Sequence, residues 1–83
     1  MGSKVYRIAS PVMGTFYRAA APGAKSLVEV GQQVNASDVV CLIESMKIFT
    51  ELRTDRAGIV KKILVENEEM VLKNQELIEI ETD

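Results

Sequence analysis

Val40-Cys41-Leu42-Ile43-Glu44-Ser45-Met46-Lys47-Ile48 is the stretch on which the reading of this chain turns. On either side of it, over 39–43 and 48–52, β-branched and large apolar side chains favour extended backbone, so a strand is expected on each flank. The break between them has room only for a tight hairpin turn. Lys47 is therefore expected at an exposed tip, held between two buried strands. Met46-Lys47 is a poor turn sequence. The central positions of a two-residue hairpin take φ > 0, which favours Asn, Asp or Gly. A local rule broken at an exposed position points to function.

Outward from the tip, the chain reads as short strands and frequent turns. Residues 5–9 form a strand stopped by Ser10-Pro11, because proline cannot donate to a ladder. Residues 14–18 form another, through Thr15, Phe16 and Tyr17. Ala19, Ala20, Ala21, Pro22, Gly23, Ala24, Lys25 and Ser26 are small or turn-forming residues and read as a loop or protrusion. Residues 27–30 resume β character, 31–33 turn, and 35–38 lead into a strand over 39–44. Beyond the tip, 48–53 return, 54–57 turn, and 58–65 make the longest strand, with Lys61-Lys62 at a surface-facing bend. Residues 66–69 turn again. Strict alternation over 77–81 puts Leu77, Glu79 and Glu81 on one face. Either Leu77 is then exposed or the glutamates meet an edge. No helical stripe is present, and the pattern predicts an all-β sandwich or barrel.

An internal repeat sharpens this. Residues 14–18 resemble 58–62 at an offset of 44, 31–34 resemble 67–70 at 36, and 40–44 resemble 77–81 at 37. Gly31 and Asn67 fall at the same turn, and both residue types tolerate left-handed backbone. The expected fold is a flattened barrel or sandwich of two antiparallel sheets with pseudo-two-fold symmetry. The first half carries about eight extra residues, which fall on 19–26.

With 83 residues, 47% of them hydrophobic, the chain is one small domain near the lower limit for an independent core. Residues 1–4 read as a vector-derived leader or a linker end, and 5–83 as the domain. No apolar run approaches the ~20 residues of a membrane span, and no secretory signal pattern is present. The lone Cys41 excludes an internal disulfide, suits a reducing compartment and reads as a buried small hydrophobe. A net charge of −2 gives no footprint for nucleic acid. Residues 66–83 hold seven acids against Lys73 alone, read as a solubilising surface, with steering towards a basic partner as the alternative.

A lysine amine attacks only when neutral, and at an ordinary pKa about 1 in 2,500 is neutral at pH 7. The chain has no histidine and no paired-carboxylate or metal-ligand spacing to improve on that. Glu44, if it points the same way, favours the ammonium form. Lys47 thus reads as a substrate, an amine displayed for acylation by another enzyme, and the chain as non-catalytic.

Glu44-Ser45-Met46-Lys47-Ile48 resembles the Glu-Ala-Met-Lys-Met signature of biotinyl (biotin carboxyl carrier) domains, departing at Ser45 and Ile48. Residues 10–18, Ser-Pro-Val-Met-Gly-Thr-Phe-Tyr-Arg, are similar to the opening of the acetyl-CoA carboxylase carriers, and 30–34, Val-Gly-Gln-Gln-Val, to their next element. The resemblance implies covalent biotin on Lys47, attached by a biotin protein ligase that recognises the hairpin of Glu44, Ser45, Met46 and Ile48, in which Glu44 and Ile48 mainly set the frame. Met46 would form part of the recognition surface; its alternative role is to cap the sandwich end. The resemblance implies that the biotin shuttles a carboxyl group from biotin carboxylase to carboxyltransferase, making malonyl-CoA for fatty acid synthesis. It makes 19–26 a "thumb" that contacts biotin. It also implies bacterial cytoplasm or plastid stroma, and homo-oligomerisation through residues outside this chain. No membrane or nucleic-acid partner is expected. The alternatives are a lipoyl carrier, whose tip typically reads Asp-Lys, and an unmodified interaction module of the same fold.

Overall fold

Residues 4–82 are described by a computed structural model with eight strands and no helix. They are β1 (Lys4–Ala9), β2 (Gly14–Tyr17), β3 (Gln33–Val34), β4 (Val39–Ser45), β5 (Ile48–Arg53), β6 (Gly58–Ile63), β7 (Met70–Val71) and β8 (Glu76–Thr82). They form two four-stranded sheets, ordered β1-β8-β6-β3 and β5-β4-β2-β7, with every pairing antiparallel. The sheets stay open at their edges, so the fold is a sandwich and not a closed barrel. Its core lies between them, where Phe16, Val34, Val40, Ile43, Val60, Val71, Leu77, Ile78 and Ile80 are buried.

The expected two-fold repeat is present in detail. The turn before β3 and the turn before β7 use the same device. Glu29 N–H donates to Gln32 Oε1 and Glu66 N–H to Glu69 Oε1. Asn35 N–H donates to Asp38 Oδ2 as Leu72 N–H does to Gln75 Oε1. Ser10 and Thr54 hydroxyls donate to the carbonyls two residues on, of Val12 and Arg56. The backbone corrects one pairing. Gly31, at φ +91°, corresponds to Glu68, at φ +70°, and not to Asn67. Asn67 tolerates left-handed backbone, but its role here is through its side chain, which accepts the Arg18 N–H. The offset after the protrusion is therefore a constant 37, and the insertion is seven residues, not eight.

A bulge resolves the ambiguity over 77–81. Ile8 pairs with Ile78 but Ala9 with Glu76, so Leu77 is an extra residue in β8. A bulge shifts the phase of alternation, and Leu77, Ile78 and Ile80 are all buried while Glu79 pairs with Arg7 at 3.1 Å. Val40 is the corresponding extra residue in β4, between Val39↔Arg53 and Cys41↔Leu52. A third shift, at Lys61, forms the expected bend in β6.

Four expectations need correction. The strand after the tip is not buried. β5 has a neighbour on one side only, and of its residues Leu52 alone is buried. No strand forms over 27–30; Val28 reaches the core, but the segment is a connection that turns at 29–32. The strand begins at Gln33, where the sequence predicts a turn, because it must meet Ile59 and Gly58 of β6. β6 itself ends at Ile63, two residues earlier than expected.

Ile43 is fully buried in β4, which has partners on both sides. Ile43→Ala is expected to cost about 2–5 kcal/mol, read from urea unfolding; a negligible loss would contradict the central place of β4.

Candidate functional site

Ser45 pairs with Ile48, so Met46 and Lys47 alone make the turn, at φ +53° and +67°. Two left-handed residues are what a two-residue hairpin of primed type requires. Outside glycine each costs about 1–2 kcal/mol. Nothing at the tip offsets that cost. Met46 is 91% exposed, which excludes a role in capping the sandwich end. Among the described residues Lys47 makes no hydrogen bond or ion pair, and it stands free in solvent. Ile48 is exposed, while Ser45 and Glu44 are half-buried.

Glu44 does not face Lys47. Its Oε1 accepts the Tyr17 hydroxyl at 3.1 Å across the β2–β4 pair, and the Tyr17 ring lies 5.8 Å from that of Phe49. The Tyr17 phenol is pushed above its ordinary pKa, first by this hydrogen bond, then by desolvation and the charges of Glu44 and Glu68. The phenol thus stays protonated as a donor, and it ties the end of β4 to β2 just before the tip.

The protrusion over 19–26 is closed by an Ala19↔Ser26 bridge and turns through Ala24 N–H to Ala21 carbonyl, with Gly23 at φ +77°. Between it and the outer face of the second sheet lies a hollow of about 510 Å³, reached by Tyr17, Arg18, Phe49, Asn67 and Glu68. Arg18 at its base holds Glu29 at 3.0 Å through Nη2, while its buried Nε has no partner. The sequence reading named the protrusion and the tip but not Tyr17 or Phe49. The signal was available: both lie at outward positions of strands flanking β4, on either side of Glu44. Lys47 is not on the wall of this hollow.

The described residues hold no cluster of three metal-ligating side chains. Cys41 is fully buried, and burial pushes its thiol up to about 12.

Residues 6–83 match the family described as "Biotin-requiring enzyme", and the chain belongs to that family. More particularly, it is 48% identical over 80 residues to the biotin carboxyl carrier protein of acetyl-CoA carboxylase from Nostoc sp., which covers 96% of this chain and 44% of that one. The protein of the same name from Haemophilus influenzae is 45% identical over 74 residues, covering 89% of this chain and 48% of that one. The chain thus spans about half the length of these relatives. In three dimensions it is similar to the Kluyveromyces lactis urea carboxylase structure, with a TM-score of 0.77 at 29% identity, over 96% of this chain and 6% of that one.

Two outcomes follow from this geometry. Met46→Asn with Lys47→Gly is expected to raise stability by about 1–2 kcal/mol, measured by urea unfolding; an unchanged or lower stability would mean that the tip is not strained. The native Cys41 thiol is expected to resist a thiol-reactive disulfide at pH 8 and to react only on unfolding. Its folded pKa lies above the ordinary 9.0, so its contribution to stability is complete below about pH 9. That contribution declines as the pH rises from there towards 12, because only the unfolded thiol ionises.

Proposed function

We propose that this chain is the biotin-accepting domain of an acetyl-CoA carboxylase carrier, modified on Lys47. The observation that carries the reading is the tip itself: an unpaired amine on a two-residue turn whose backbone is strained at both positions. Strain of this kind persists where the surrounding structure holds it and marks functional sites. The names of relatives at 45–48% identity support biotin as the group and acetyl-CoA carboxylase as the setting.

The residues present fit the group. Lys47 offers an amine in open solvent for amide formation, with Met46, Ile48, Ser45 and Glu44 around it for a biotin protein ligase to read. The hollow beside the protrusion lies within the 300–1,000 Å³ typical of small-molecule sites. Ala19, Ala20, Ala21, Pro22, Gly23, Ala24, Lys25 and Ser26 then act as the thumb, through mostly small side chains and exposed backbone. Biotin, when attached, supplies the nitrogen that takes up and releases a carboxyl group. The chain holds its attachment point still, brings it to biotin carboxylase and to carboxyltransferase, and performs no bond-making itself. Tethering replaces free diffusion with an effective concentration of up to ~mM for a short flexible linker. Relatives in Nostoc sp., in Haemophilus influenzae and in the chloroplast of Glycine max point to bacterial cytoplasm or plastid stroma.

Incubation with biotin, ATP and a biotin ligase is expected to add one biotinyl group, mapped by peptide mass to Lys47. Lys47→Arg should unfold at the same urea concentration as the parent and take no biotin. Modification of the arginine variant would refute the site; refusal of biotin by the parent, with uptake of lipoate from a lipoate ligase, would move the assignment to a lipoyl carrier.

A further inference from the structure

The pseudo-two-fold gives this fold an internal control. Each surface position of the sheet that carries the tip has a counterpart on the other sheet, built on the same backbone. On the outer face near the tip the two differ sharply. Met70 and Leu72, at and just past the edge strand β7, correspond to Gln33 and Asn35; Met13, just before β2, corresponds to Ala57. Met13, Met70 and Leu72 are each more than half exposed. They form one patch by register. Thr15 pairs with Met70 and Gly14 with Val71, so the next step places Met13 level with Leu72. Thr15 also pairs with Glu44, two residues before Met46, so the patch lies on the sheet face that leads into the tip.

Packing within this chain does not require that surface. The inward residues Phe16 and Val71 fill the core as Val60 and Val34 do in the other half, and that half folds with Gln33 and Asn35 at the places of Met70 and Leu72, its exposed apolar side chains there being Ile59 and Val5, each less than two-fifths exposed. Three of the four methionines lie on this face; methionine is flexible and polarisable, and suits a surface that adapts to what it meets. Glu44 and Glu68 stand on the same face, close enough that both raise the Tyr17 pKa. The patch is thus apolar with two carboxylates on its Tyr17 side, and with the exposed Lys73 beside Leu72 and Lys47 at the tip. An enzyme that activates a carboxylate with ATP must hold phosphate and acyl-phosphate groups, and so presents a cationic mouth.

We propose that Met13, Met70 and Leu72 form the docking surface on which the ligase that acylates Lys47 settles, its cationic rim against Glu44 and Glu68. The inference rests on the carrier reading above and extends it from the tip to the β2–β7 edge. Two kinds of contact are required at once: the turn presents the amine, and the patch fixes the approach of the enzyme.

The test replaces the patch by what the fold already tolerates on its other side. The double variant Met70→Gln, Leu72→Asn carries the residues of the counterpart positions, and its urea midpoint should match the parent. With biotin and ATP fixed and the carrier varied, its KM for the ligase should rise about tenfold with kcat within twofold. The reciprocal variant Gln33→Met, Asn35→Leu should leave KM unchanged. Lys47→Arg protein should inhibit competitively, and lose that inhibition when the double change is added. An unaltered KM and undiminished inhibition would overturn the docking surface while Lys47 remained the biotin site. A parent chain that takes no biotin would overturn the carrier reading and this inference together. Should the double variant fail to fold, Met13→Gln alone carries the same test.

Discussion

Gly14 and Gly58 are where each half of this molecule packs its strands closest, β2 on β4 and β6 on β8, and the rest of the sandwich depends on the absence of side chains there. A Cβ on Gly14 would collide with the Glu44 carbonyl oxygen and press on Ile43; one on Gly58 would do the same to Glu81 and Ile80. The close approach lets β2 lie against β4, and β6 against β8, with Ile43 and Ile80 fully buried. These four strands support everything else. β4 continues from Ile43 through Glu44 directly into the tip, so rigidity at the glycine contact is carried along the strand to Lys47. The Tyr17–Glu44 hydrogen bond adds a second tie one residue from the turn.

That continuity explains how a turn with poor local chemistry stands. Met46 and Lys47 do not favour their left-handed backbone, but the strands on either side are registered at six positions from Val39↔Arg53 to Ser45↔Ile48. The ladder leaves two residues to close the hairpin whatever their preference. Stability is given up at one point because the core secures it elsewhere, a balance common where an exposed group must be held in place.

Much of this was legible in the sequence because the chain says it twice. The repeat identified two sheets and located the insertion, and the tip stood out as a turn made of the wrong residues. What failed has physical causes. β5 looks buried because its residues are apolar, but strand composition does not distinguish an edge from a centre. The single-residue bulges at Val40 and Leu77 reverse the inward and outward faces, and alternation alone cannot show where the phase slips. The two-residue strands β3 and β7 are defined by their partners and carry no pattern of their own. Tyr17 and Phe49 were read as strand formers, and only the register across β4 shows them meeting over Glu44.

The pairing of β1 with β8 brings Lys4 opposite Thr82. In the pseudo-symmetry this pair holds the place that Ser45 and Ile48 hold around the tip. Where one sheet has a turn, the other has an entrance and an exit side by side. A unit built this way is a plug-in cassette: it can hang from a stalk or be spliced into a host polypeptide without disturbing a single internal pairing.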